Sequence, residues 1–73
     1  MMSNDDDKDD FDRLLKLRQV VDMTGYGKTS IYNMMKVGKF PQQCNPMGSA
    51  SARWSEREVK AWIDDALQAR QAA

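Results

Sequence analysis

Glycines at positions 25, 27 and 38 constrain this chain more tightly than any other feature of its sequence. A glycine placed just after a run of helically spaced apolar residues accepts the left-handed backbone that closes a helix. Leu17, Val20 and Val21 fall on one helical face with Asp22 outside it, so Thr24-Gly25 ends a first helix. That helix follows a short extended segment built from Leu14, Leu15 and Leu17. Gln19, three residues beyond Lys16, is spaced to reach back to the backbone as half of a capping box. Gly27 then occupies the N-cap of a second helix, running from about Lys28 to Val37. In that helix Ile31 and Met35 face inward with Met34 at the edge, while Lys28, Thr29, Asn33 and Lys36 lie on the opposite side. Gly38 ends it, Phe40 folds back as a core plug, and Pro41 forbids further helix. Two short helices joined by Gly-Tyr-Gly, with Tyr26 as the apolar anchor of the link, make a helix-turn-helix.

The run GYGKTS also invites comparison with a nucleotide-binding loop, which needs a glycine five positions before its Gly-Lys pair. Here that position is Asp22, wrong in shape and in charge. A chain of 73 residues has no room for the parallel sheet such a loop requires and forms one small domain. With one cysteine and no histidine there is no internal disulfide and no good ligand set for zinc, so neither metal nor cofactor is expected. The same poverty of titratable groups leaves nothing to run acid and base chemistry, and an enzyme is the least fitting class. No apolar run approaches the roughly 20 residues of a membrane span, and an acidic start is unlike a signal peptide. A cytoplasmic protein without membrane contact is expected.

Beyond Pro41 the texture changes. Residues 42–54, QQCNPMGSASARW, flank a tip of small residues at 48–51 and suit a β-hairpin. Ser55 followed by Glu58 is a capping box before Val59, Trp62, Ile63 and Ala66, so a third helix starts there and frays near Ala69. Trp54 and Trp62 occupy periodic apolar positions and read as core. Met23, Met34, Met35 and Met47 read as adaptable filler, and Cys44 as a small buried or half-buried side chain.

The net charge of zero conceals a sorted distribution. Residues 1–12 carry six Asp against Lys8, and from residue 13 onward ten Lys and Arg face five Asp and Glu. Within residues 13–53 seven cations face only Asp22. The expected organisation is a disordered acidic tail over residues 1–12 and a basic domain over residues 13–73, suited to a polyanionic partner. The tail either serves solubility or screens the basic face from that partner.

A helix-turn-helix with a donor-rich second helix points to double-stranded DNA. Lys28, Thr29 and Ser30 sit at a helix N-terminus, where free N–H groups and the dipole favour phosphate. From the same helix Lys28, Thr29 and Asn33 can reach base edges in a major groove, lysine reading guanine acceptors and asparagine pairing with adenine. Lys36 and Lys39 extend the cationic side. Tyr32 divides between packing beside Ile31 and offering its hydroxyl to a phosphate. The plainer alternative is that these lysines form the solvated face of an amphipathic helix.

The string LLKLRQVVDMTGYGKTSIYNMMKVGKFPQ, followed by RWSEREVKAWI, resembles the AlpA family of phage and genomic-island regulators, within the wider MerR and excisionase-like winged-helix group. The resemblance spans roughly residues 13–68 and rests on Thr-Gly, Lys-Thr-Ser-Ile-Tyr, Gly-Lys-Phe-Pro and Trp-Ser-Glu-x-Glu-Val-x-x-Trp-Ile. It implies a mainly α winged helix-turn-helix with a small β-hairpin, whose second helix enters the major groove and whose wing touches backbone or minor groove. It further implies control of an integrase or neighbouring genes, or assistance in excising the element by bending DNA. Residues 48–52 carry no charge where family wings are basic, so Arg53 is the wing's cation here. A protein-interaction or DNA-mimic module using the acidic tail and a Met-rich surface is the competing class. Because single recognition modules bury only about 600–1,000 Å² of protein surface, specificity implies two or more copies on neighbouring sites.

Overall fold

In the computed structural model, residues 11–48 and 51–72 are described. Their order is β1 (Leu14–Leu15), α1 (Leu17–Thr24), α2 (Lys28–Lys36), β2 (Trp54–Ser55) and α3 (Glu56–Ala72). The fold is mainly α with one small antiparallel sheet, the architecture of a winged helix-turn-helix.

Local chemistry sets the helix ends. At the start of α1 the Lys16 N–H donates to Gln19 Oε1 at 2.8 Å, the half capping box expected from their spacing. At its end Gly25 adopts φ 80°, and its N–H donates to the Val21 carbonyl at 2.8 Å. Gly27 is the N-cap of α2. Gly38, at φ 75°, donates to Met35 while Lys39 donates to Met34, the paired bonds of a Schellman closure. Gln42 Nε2 adds a third donor to this end, reaching the Met35 carbonyl at 3.0 Å.

The core draws on every element of the described residues. Leu15, Val20, Ile31, Phe40, Trp54 and Val59 are buried, with Leu17, Val21, Met23, Tyr32, Met34, Met35, Trp62 and Ile63 packed around them. Met34 and Met35 share the edge of α2 about equally. Trp54 is fully buried, whereas Trp62 is half-buried.

The β structure differs from the sequence expectation. The region 42–54 closes through a single bridge, Cys44 to Arg53, with two backbone hydrogen bonds of 2.8 Å. The two-stranded sheet itself joins β1 to β2, Leu15 facing Trp54 and Leu14 facing Ser55. The strand leaving the wing therefore pairs with the start of the domain, and after Cys44 the chain turns, the Gly48 N–H donating to the Asn45 carbonyl at 3.2 Å. Cys44 is exposed rather than half-buried, and Met47 is 87% exposed at the wing. The third helix continues past Ala69 to Ala72.

Asp12, which the sequence assigns to a disordered tail, is engaged in the fold. Its carboxylate accepts from the Arg13 and Arg57 backbone N–H groups, both at 2.9 Å, and from the Ser55 hydroxyl. Ser55 Oγ in turn accepts from the Glu58 N–H at 3.1 Å, so α3 begins under two stacked caps. Residues 1–10 of the acidic segment lie outside the described residues.

Candidate nucleic-acid interface

Ile31 anchors α2 with no exposed surface, and Met34 and Met35 flank it, which turns the opposite side of the helix to solvent. Residues one helical turn apart share a face, so Thr29, Asn33 and Lys36 form an outward row at i, i+4 and i+7. Ser30 and Val37 form its flank, and Val37 is 65% exposed. Lys28 opens the helix beside Thr29, and Lys39 follows its closure; all of these side chains except Val37 are polar or cationic, and all are exposed. An exposed valine at the end of a polar face is the one apolar surface there, and its exposure was not evident from the sequence.

The face is electropositive for two reasons. The first turn of α2 carries no acidic residue, so its free N–H groups and dipole are uncompensated. Among the described residues, moreover, Lys28, Lys36 and Lys39 form no ion pair. The described ion pairs gather instead at the start of α3, where Arg13 meets Glu56 at 2.6 Å and Lys60 approaches Glu56 at 3.9 Å. The Arg13 hydrogen bond holds Glu56 below the usual carboxylate range and raises Arg13 in turn. The Ser55 hydroxyl, then the Arg57 backbone N–H, likewise holds Asp12 below its ordinary value. Glu56 and Asp12 are thus committed to the start of α3.

Two expected site residues are placed differently from the rest. Tyr32 is half-buried, its ring standing edge-on to Trp54 with centroids 6.1 Å apart. Arg53 is half-buried on the bridge, and its guanidinium turns back to donate to the Ala52 carbonyl at 2.9 Å. Lys28, Thr29, Ser30, Asn33, Lys36 and Lys39 therefore come together along α2 and its exit, while Tyr32 leans into the core and Arg53 sits on the wing. Sequence periodicity also missed the contacts that fix the ends of α2. Tyr26, expected as the apolar anchor of the link, is 46% exposed and rests edge-on against Trp62 at 6.0 Å. Among the described residues no group of three or more potential ligands is gathered to hold a metal ion, and no helix is long and apolar enough to cross a membrane.

A family model described as Prophage CP4-57 regulatory protein (AlpA) matches residues 13–67. The chain belongs to the AlpA family. Among curated proteins it is similar to an uncharacterised protein, ORF88, of Enterobacteria phage P4, with 31% identity over 52 residues. That alignment covers 71% of this chain and 58% of the relative, so the chain spans less than two thirds of that protein's length. No solved structure matches. AlpA proteins are regulators rather than enzymes, and the matched segment of this family member contains β1, all of α1 and α2, the wing, β2 and most of α3.

Proposed function

We propose that this AlpA-family chain is a sequence-specific double-stranded DNA-binding regulator of a prophage or genomic island, acting on an integrase gene or its neighbours. The observation that carries this reading is the outward row Thr29, Asn33 and Lys36 on a helix whose other side is held by Ile31. Such a row has the width and the donors to enter a major groove, where asparagine pairs with adenine and lysine with guanine or phosphate. Lys28, Thr29 and Ser30 meet the DNA backbone at the helix N-terminus, Lys39 adds charge beyond its end, and Tyr32 and Arg53 stand at the margin of the footprint. Two copies on adjacent half-sites supply the specificity that one small module lacks.

The test is a titration with duplexes selected by the protein from a random pool. Three lysine–phosphate contacts give a log–log salt slope of about −2.7, so raising salt from about 50 to about 200 mM weakens binding about 40-fold. Lys36→Gln reduces the slope by about 0.9. Asn33→Ala leaves the slope unchanged and removes about 1–3 kcal/mol of discrimination at one base pair. Affinity independent of salt, or unshifted α2 amide resonances at saturating duplex, overturns the reading.

A further inference from the structure

Both ends of α2 meet on one side chain of another helix. Tyr26, the residue before the N-cap Gly27, stands edge-on to Trp62 with ring centroids 6.0 Å apart. At the far end the Trp62 indole N–H donates to the Lys39 carbonyl at 2.8 Å, and the Phe40 ring packs on the same indole at 4.9 Å. Lys39 is also the residue whose N–H closes α2 by donating to Met34 at 2.7 Å. One residue thus ends the helix through its N–H and ties that end to α3 through its carbonyl.

The mechanical consequence follows from where the other attachments lie. Ile31, fully buried in the fourth position of the nine-residue α2, fixes which face points outward. With the half-buried Tyr32, Met34 and Met35 beside it, this anchor holds one side of the helix and leaves a residual freedom to tilt. Contacts at its two ends remove that freedom, because a small tilt displaces the ends of a helix roughly 13 Å long far more than its middle. Trp62 belongs to α3, which is itself fixed by Val59 in the core and by the Asp12 and Ser55 caps. Building on the DNA reading above, we propose that Trp62 is a positioning residue that sets the tilt of α2, and so the register in which Asn33 and the outward row around it meet the groove, without touching DNA itself.

Base readout and phosphate attraction differ in their tolerance of tilt. Hydrogen bonds to base edges weaken steeply with misalignment, whereas long lysine side chains follow a phosphate over several ångströms. A positioning role is therefore visible as lost specificity at preserved general affinity, a pattern that mere destabilisation does not give. Trp62 is only half-buried and floors a shallow groove with Phe40 and Pro41; Phe40 is the core ring it meets, and a phenylalanine in its place keeps an aromatic partner there.

The experiment uses the full chain with Trp62→Phe, which deletes the indole donor and keeps an aromatic ring, and with Tyr26→Leu, which removes the contact at the other end. Affinity is measured for the selected duplex and for poly(dI-dC), and residual dipolar couplings report the angle between α2 and α3 without DNA. The expected result for each variant is about a tenfold loss on the selected duplex, less than about twofold change on poly(dI-dC), and a changed interhelical angle. An unchanged angle in both variants overturns the proposal, as does an unchanged ratio of the two affinities. If wild-type protein binds neither duplex, the DNA reading fails, while the couplings still decide whether Trp62 sets the tilt. Should Trp62→Phe unfold, Tyr26→Leu carries the same two outcomes.

Discussion

Replacing glycines one at a time separates backbone conformation from packing in this fold. At Gly25, φ is 80°, and a Cβ built there meets no atom within 4 Å. Steric contact with the rest of the protein thus contributes nothing, and Gly25→Ala isolates the cost of holding an L-residue in the left-handed region, about 1–2 kcal/mol. Alanine also restricts the unfolded chain, which returns about 0.4–1 kcal/mol, so the net loss is about 1 kcal/mol. Gly27 is the internal control. Its φ of −77° suits any residue and its Cβ direction is equally open, so Gly27→Ala gains the same unfolded-state term against about 0.5–1 kcal/mol of poorer N-capping and lands near zero. Two glycines separated by one tyrosine are therefore expected to differ by about 1 kcal/mol, or about 4–8 °C in Tm for a domain of this size. Gly38→Ala, at φ 75° with open space, repeats the Gly25 loss. Because the two caps are separated by a helix about 13 Å long, the double variant loses about 2 kcal/mol. Urea titration of the four variants at neutral pH measures this directly. Equal stability of Gly25→Ala and Gly27→Ala would refute the assignment of Gly25 as the left-handed closure of α1, and with it the placement of the turn before α2.

Asp12 gives a pH prediction with a defined sign. Its folded pKa is lowered, mainly by the Ser55 hydroxyl and the Arg57 N–H, so its stabilisation is complete above the ordinary aspartate value of about 3.9 and is lost as pH falls through the depressed value. Asp12→Asn should therefore lower the urea midpoint at pH 7 and converge with wild type in strong acid; a difference that persists undiminished at low pH excludes the carboxylate charge as its source. Removing residues 1–10 while keeping Phe11 and Asp12 tests the acidic segment. Its five Asp against Lys8 are expected to compete with DNA, so deletion raises duplex affinity at low salt and the gain fades as salt rises. Identical binding by both proteins in dilute buffer would leave solubility as the segment's role.

Much of the helical scaffold is written in short-range chemistry. The stop at Gly25, the start at Gly27, the closure at Gly38, the Lys16–Gln19 pairing and the Ser55 cap each involve residues a few positions apart, so their spacing alone is informative. The same holds for the outward row on α2, because a helix with Ile31 inward has no other place for Asn33 and Lys36. Arg53 and Tyr32 were less legible, since whether a long side chain turns inward depends on neighbours such as Ala52 and Trp54 that periodicity does not specify.

By itself, then, the sequence determined where α1 and α2 begin and end, where α3 begins, which side of each is apolar, and how charge is divided between the tail and the body. The tertiary structure alone decided that β1 pairs with the strand leaving the wing, that Asp12 and Arg13 reach the start of α3 across 43 to 45 positions, and that Trp62 touches both ends of α2. Those contacts join segments far apart in the chain, and a two-residue strand or a single acceptor carries no periodic signal. Their partners are fixed only when burial of Trp54, Val59 and Ile31 brings the segments together.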